Sequence, residues 1–428
     1  MTTASKPSIL RGIGRWDLVA LMVNISIGSG ILGLPGRLFE LTQMYSLLVL
    51  VLCAALMGII AICFAEAGSR FVDSGGPYLI TRNAFGPATG FIVGWLYWVS
   101  RVLTFATICN LLVDYFGRFA PALQGEVARY LVVSTVVGAI TVIHLLGIRH
   151  ATIVGNALTV LKVSFLVVFG IAGVWNAEAL FAIEASAPAP GNMSAAMLLA
   201  IFAFTGFEAA IVGAGEMRNP RRDIPFAIAV SLLVILLLYL GVQAVCIAKV
   251  PLLAESKTPL ADAAVAMWGP LGEQLTAAAA MVIMLGSLNS GFLATTRLPF
   301  AFAEQGDMPA LLARVHAKFR TPHVAILGSA VLVLVATLAS SFLSAITLAT
   351  STRMIVYIGG CAALFALRRR RDAPPAQFIA PAGQLFAVLA ISMSVALLAT
   401  ASGNELLQLA ISTVIGVMLY FSIKAARA

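Results

Sequence analysis

The chain has 428 residues, 61% of them hydrophobic and only 11% charged, against about 25% charged in an ordinary soluble domain. That balance excludes a large soluble enzyme with a single big core. The net charge of +9 raises a nucleic-acid partner, but the basic residues follow the ends of apolar runs, so no nucleic acid is expected and membrane lipid is.

Apolar runs of about 20 residues recur along the whole chain, each long enough to cross a bilayer, and roughly twelve are read. The first covers 17–39 and reads as helix 1, not as a removable signal. At its centre stands Asn24-Ile25-Ser26-Ile27-Gly28-Ser29-Gly30-Ile31. Glycine lowers helix stability by roughly 1 kcal/mol relative to alanine. A glycine pair at mid-span therefore predicts a helix that opens, and opened backbone survives in hydrocarbon only where protein packs it or it lines a wet cavity.

Helix 2 is expected over 45–67, followed by a loop whose Gly75-Gly76-Pro77 is turn chemistry. Helices 3, 4 and 5 are expected over 88–116, 128–146 and 152–175. Lys162 falls at the centre of helix 5, where insertion of a lysine costs roughly 2.5–3.5 kcal/mol and a partner is required. Helix 6, over 193–215, repeats the peculiarity of helix 1, with Phe202-Ala203-Phe204-Thr205-Gly206-Phe207-Glu208 at mid-span. A basic turn, Arg218-Asn219-Pro220-Arg221-Arg222-Asp223-Ile224-Pro225, leads to helix 7 (226–247). An outer loop then reaches Gly269-Pro270. Helix 8 (275–301) carries Ser287 and Asn289, and helices 9 (324–340), 10 (343–367), 11 and 12 (383–424) complete the chain.

Arg70, Arg82, Arg222, Arg314, Lys318, Arg320 and the run Arg368 to Arg371 fall on one side of this topology, while Arg118, Arg129, Lys249 and Lys257 fall on the other. By the positive-inside bias both termini are expected in the cytoplasm of a bacterial inner (plasma) membrane. The five cysteines lie in apolar runs without Cys-x-x-Cys spacing and read as structural thiols. The histidines, at helix ends and loops, read as solvated.

Helix 1 begins inside and helix 6 outside. Phe85-Gly86-Pro87 before helix 3 is echoed by Trp268-Gly269-Pro270 before helix 8. These echoes suggest an inverted repeat, repeat one over about 17–175 and repeat two over about 193–367. Paired interruptions in the two halves point to a transporter's binding site.

Taken together, Ile27-Gly28-Ser29-Gly30-Ile31, the 202–208 run, Asn219-Pro220-Arg221-Arg222-Asp223-Ile224-Pro225, Thr296-Arg297 with Glu304-Gln305-Gly306-Asp307-Met308-Pro309, and Lys318-Phe319-Arg320-Thr321-Pro322 resemble the amino acid–polyamine–organocation superfamily of permeases over essentially the whole chain. The resemblance implies an all-α polytopic fold with the five-plus-five inverted repeat of leucine-transporter-like proteins plus two helices. It also implies roles. The free N–H groups of Ser29, Gly30 and Ile31 next to Ile27 and Gly28 receive the substrate carboxylate. Carbonyls of Phe202, Ala203 and Thr205 beside Phe204 and Gly206 receive the ammonium, and Phe202 is the gate. Lys162 takes the place of a sodium ion between helices 1, 5 and 8. Glu208 senses protons or holds a static hydrogen bond, with Ser287 and Asn289 as further coupling candidates.

Gly28-Ser29-Gly30-Ile31-Leu32-Gly33 also fits the dinucleotide pattern Gly-x-Gly-x-x-Gly, but that pattern needs a strand before it and membrane helix stands there. Close packing through small residues is the plainer alternative. No nucleotide, metal or hydrolase motif is present, so no cofactor and no enzyme is expected. The expected function is sodium-independent secondary transport of an amino acid. The substrate is expected to be neutral if Phe204, Phe207 and Phe292 line the pocket. Protons or a counter-substrate would be the coupling partner, and the oligomeric state is open between monomer and homodimer. An obligate exchanger, including a cationic amino acid or amine antiporter, is the alternative reading within the class, and a non-transporting sensor the alternative outside it. Arg101 and Arg353, charged and intramembrane, receive no role.

Overall fold

The computed structural model describes residues 15–71, 76–120, 125–146, 148–174, 187–208 and 220–426. The second half of helix 6 and the following turn, over 209–219, lie outside the described residues, as do 72–75 of the first cytoplasmic loop. The fold is all-helical throughout the described residues.

The first apolar run forms two helices, α1 (Arg15–Ser26) and α2 (Ser29–Thr42), parted at Ile27 and Gly28. A 3-10 turn leads directly into α3 (Ser46–Gly68). Gly76, at φ 51, and Pro77 open a further short helix, α4 (Pro77–Phe85), because proline is pre-set for the first helical position. Then come α5 (Pro87–Phe119), α6 (Glu126–Leu146), α7 (Ile148–Val174) and α8 (Pro190–Ala203). They are followed by α9 (Pro220–Lys249) and α10 (Pro259–Glu304). The expected outer loop before helix 8 is itself partly helical: α10 starts at Pro259 and kinks where Gly269 takes φ 67 ahead of Pro270. The chain ends with α11 (His323–Ala339), α12 (Phe342–Arg369), α13 (Gly383–Ala399) and α14 (Gly403–Ala425).

Among the described residues, 7 helical stretches are long and apolar enough to cross a membrane by themselves, and four shorter apolar helices cover 158–173, 191–203, 323–339 and 383–399. This is a polytopic membrane protein. Two features explain why fewer long stretches than expected spans appear. The turn after α2 is tight enough that 29–68 reads as one stretch, and the interruption near Gly206 leaves helix 6 short. Leu233, Leu237, Val331, Val335, Ile411 and Met418 are at least 51% exposed, which suits hydrocarbon and would be costly in water.

Two groups of helices pack mainly within themselves. Helices α1, α2, α3, α8 and α9 contact one another, while α5 lies against α10, α11 and α12, with α6 and α7 packed on that second group. Buried phenylalanines such as Phe64, Phe91 and Phe302 fill the interior. The two groups meet around the break in the first run, and the candidate site lies there.

Candidate functional site between two interrupted helices

A helix that stops in mid-membrane leaves its last carbonyls and its successor's first N–H groups without partners, and each needs one. At the end of α1 the need is met from two other helices. The Lys162 ammonium on α7 donates to the carbonyls of Asn24 (2.6 Å) and Ile27 (3.2 Å). The Ser287 hydroxyl on α10 donates to Ile27 O at 2.8 Å. A cation at a helix C-terminus is favoured by the helix dipole, and Lys162 is 1% exposed. The positions expected to meet, helices 1, 5 and 8, do meet here.

On the other side of the joint, Gly28 caps α2 with no side chain accepting from the first turn. The Ser29 hydroxyl is fully buried and without a partner. Gly30 packs on the end of α8 so closely that a Cβ there would lie 2.7 Å from the Cβ of Ala203. The α8 helix ends at Ala203, and residues 204–206 form a turn. Gly206 sits at φ +124, where a Cβ would come within 2.6 Å of Ile25 Cγ2 and 3.1 Å of the Ile25 carbonyl carbon. Only glycine is comfortable there. The carbonyl of Phe202 is taken by the Thr205 N–H (3.2 Å) and hydroxyl (2.8 Å). The Tyr239 hydroxyl lies within reach of the carbonyls of Ala203 (2.7 Å) and Ser26 (3.0 Å), bridging the two interruptions.

Between the breaks is a cavity of about 20 Å³ walled by Ile25 and Thr205, by Arg101, Thr104, Phe105 and Ile108 of α5, and by Ser287, Leu288 and Gly291 of α10. That is room for one water, so the site is closed down in this conformation. A separate open vestibule of about 920 Å³ lies toward the C-terminal end of α5, lined by Asp114, Arg118, Arg129 and the 255–258 segment among others. At the opposite end, Glu66 of α3 is held by Arg368 through two hydrogen bonds (2.7 and 2.6 Å) and by the Ala380 N–H (2.8 Å). Arg82 pairs with Asp307, which also accepts from the Tyr78 hydroxyl at 2.7 Å. Burial, followed by that bond to a carboxylate, pushes the Tyr78 phenol well above its usual range.

A family profile described as amino acid permease matches residues 13–420. The chain belongs to the amino acid permease family. Its relatives differ in what their names say they carry. The serine/threonine exchanger SteT of Bacillus subtilis is 26% identical over 437 residues, covering 97% of each chain. The branched-chain amino acid permease BcaP of the same organism is 28% identical over 453 residues, covering 98% of this chain and 94% of that one. A putative arginine/ornithine antiporter of Bacillus subtilis is 26% identical over 339 residues, covering 71% of this chain and 72% of that one. The family is one of transporters, not enzymes, and an amino acid is the substrate class it implies.

Several residues of this permease sit where sequence reasoning did not put them. Arg353, not Arg101, faces Glu208, with its Nε 3.9 Å from Oε1. Glu208 also accepts from the Tyr357 hydroxyl and, at 2.8 Å, from the Gly206 N–H, which stitches the helix 6 turn to α12. Asn289 turns to His144, whose Nε2 lies 3.1 Å from its carbonyl. His144 is buried, so the solvated reading is corrected for it: a helix-end position in sequence lies under α10 in space. Phe204, Phe207 and Phe292 do not line the cavity. They pack on Tyr239, Tyr357 and Phe105 respectively. All five cysteines are buried and unpaired.

Proposed function

We propose that this permease is a secondary active transporter of amino acids working by alternating access without sodium. The observation that carries the reading is the convergence of two interrupted helices on one buried cavity, with a lysine and a serine from other helices fastening the first interruption. The N–H groups of Ser29, Gly30 and Ile31 at the start of α2 suit a carboxylate. The carbonyl end of α8, from Phe202 to Thr205, suits an ammonium that displaces Thr205 from Phe202 O or shares Ala203 O with Tyr239, and Phe202 beside it serves as the gate. A zwitterion is thereby held by backbone alone. Lys162 supplies the charge that a sodium ion would otherwise bring to the joint.

The grouping of α1, α2, α3, α8 and α9 against α5–α7 and α10–α12 supports rocking of one bundle on the other, in a five-plus-five inverted repeat with α13 and α14 outside it. With both termini in the cytoplasm, the wide vestibule faces out and the Glu66–Arg368 and Arg82–Asp307 ties close the inside. The cavity then has to expand before a substrate fits. Glu208, tied to Tyr357 and near Arg353, is placed to report occupancy of the helix 6 turn to α12.

The test is counterflow in proteoliposomes: vesicles loaded with one unlabelled amino acid are challenged with the same labelled one in sodium-free buffer. Saturable accumulation of at least one amino acid is expected, unchanged by added sodium. Absence of accumulation for all twenty would refute transport. Efflux that requires an external amino acid would identify an exchanger, the activity named for SteT.

A further inference from the structure

We propose that the central site selects amino acids whose side chain carries a carboxylate, and that Arg101 receives that carboxylate. The inference rests on the transporter reading above. Three cations are buried at mid-membrane among the described residues: Lys162, Arg353 and Arg101. Two of them are answered. Lys162 caps the negative end of α1. Arg353 faces Glu208 and donates to Ser100 Oγ (2.9 Å) and Thr104 Oγ1 (3.1 Å). Arg101 is 4% exposed, feels the Glu208 carboxylate only from beyond ion-pair distance, forms no ion pair among the described residues, and among them donates only to the Gly291 carbonyl at 3.2 Å. Its Nε has no hydrogen-bond partner among the described residues, as is also true of Nη1 of Arg353.

A guanidinium cannot escape burial by losing its proton, and an unanswered buried charge is strongly unfavourable. Arg101 nevertheless stands in the wall of the cavity between the two breaks. Its planar fork fits a carboxylate through two parallel hydrogen bonds. Thr104, one turn on, and Ser287 opposite line the same wall, their hydroxyl protons given to Ser100 O and Ile27 O in this closed conformation. With the α-carboxylate at the N–H groups of Ser29, Gly30 and Ile31, as proposed above, none of which borders this cavity, the group at Arg101 is a second carboxylate. The vestibule mixes both signs, Asp114, Glu255 and Asp262 with Arg118, Arg129 and Lys257. Sorting by substrate charge therefore falls to Arg101. Dicarboxylic amino acids are the substrates this geometry fits.

Their amides provide the test, because they match in size and lack only the charge. Full-length protein in proteoliposomes is assayed by counterflow with L-aspartate and L-glutamate against L-asparagine and L-glutamine, and with L-leucine, L-serine and L-arginine alongside. Each acid should accumulate at least about tenfold faster than its amide, the factor expected from one charge-assisted in place of one neutral hydrogen bond. Arg101→Gln keeps donors but no charge and should bring that ratio to near unity. Faster transport of an amide or a neutral amino acid than of the acids would overturn the inference and leave amino acid transport standing. So would an undiminished acid preference in Arg101→Gln. Accumulation of no amino acid would overturn both. If Arg101→Gln runs as aggregate in gel filtration, the acid-to-amide ratio of the unaltered protein decides alone.

Discussion

Lys162→Met removes the one cation that spans from α7 to the interrupted helix while keeping the length of the side chain. In the intact protein Lys162 makes two charge-assisted hydrogen bonds to Asn24 O and Ile27 O, about 1.5–3 kcal/mol each. Against that stands a burial cost of about 2.5–3.5 kcal/mol for a lysine at the membrane centre. The balance runs from about zero to about 3.5 kcal/mol in favour of the tethered lysine, so Lys162→Met should lower stability by no more than that and the protein should still insert and purify. Transport is a different matter. Ile27 O keeps Ser287, but Asn24 O loses its side-chain donor and the joint is no longer fixed to α7. If one such bond positions the joint during the transport step, the counterflow rate falls by about ten- to a hundredfold, at 1.36 kcal/mol per decade. The assay is counterflow rate beside melting temperature in detergent. A Lys162→Met protein that exchanges substrate at the unaltered rate would refute the tethering role, and stimulation of the unaltered protein by sodium would refute the replacement of sodium.

Gly206→Ala places a side chain at φ +124 and 2.6 Å from Ile25. It should destabilise by at least about 1–3 kcal/mol in a thermal melt, whereas Gly28→Ala, whose Cβ would meet Ser287 Oγ at an ordinary 3.5 Å, should melt like the parent. Gly28→Leu and Gly30→Leu should insert yet abolish counterflow. Glu66→Ala leaves Arg368 and the Ala380 N–H without their shared acceptor and should cost about 3–5 kcal/mol, read as a lowered melting temperature. Tyr78→Phe removes a donor to Asp307 and should cost about 1–3 kcal/mol. Because the folded-state phenol titrates above its ordinary value, that contribution is complete below about pH 10 and fades only as pH rises beyond it. The difference in melting temperature between Tyr78→Phe and the parent should therefore be constant from pH 6 to about pH 9.

Much of the fold was legible because hydrocarbon leaves few options: apolar length gave the helices, and mid-span glycines next to hydroxyl residues gave both interruptions. Lys162 was legible for the same reason, since a lysine that cannot reach an interface has to find a partner inside. What the sequence withheld was pairing across helices. Nothing local distinguishes Arg353 from Arg101, yet one meets Glu208 and the hydroxyls of Ser100 and Thr104 while the other borders a cavity. His144 looked solvated at a helix end and is roofed by α10. The phenylalanines around Gly206 looked like pocket lining, but ring-to-ring packing with Tyr239 and Tyr357 claimed them. The short helix α4 was hidden by its Gly-Gly-Pro start, which reads equally well as a turn.

In the proposed transport cycle, backbone groups at the two helix breaks hold the α-carboxylate and the α-ammonium of one amino acid, and competition by blocked analogues probes both at once. Against counterflow of the best substrate, the same amino acid is added with its α-carboxylate methylated or its α-amine acetylated. Each blocked form leaves one set of buried backbone groups unpaired, and each should inhibit at least about a hundredfold less well than the free amino acid. A blocked analogue that competes as well as its parent would contradict the claim.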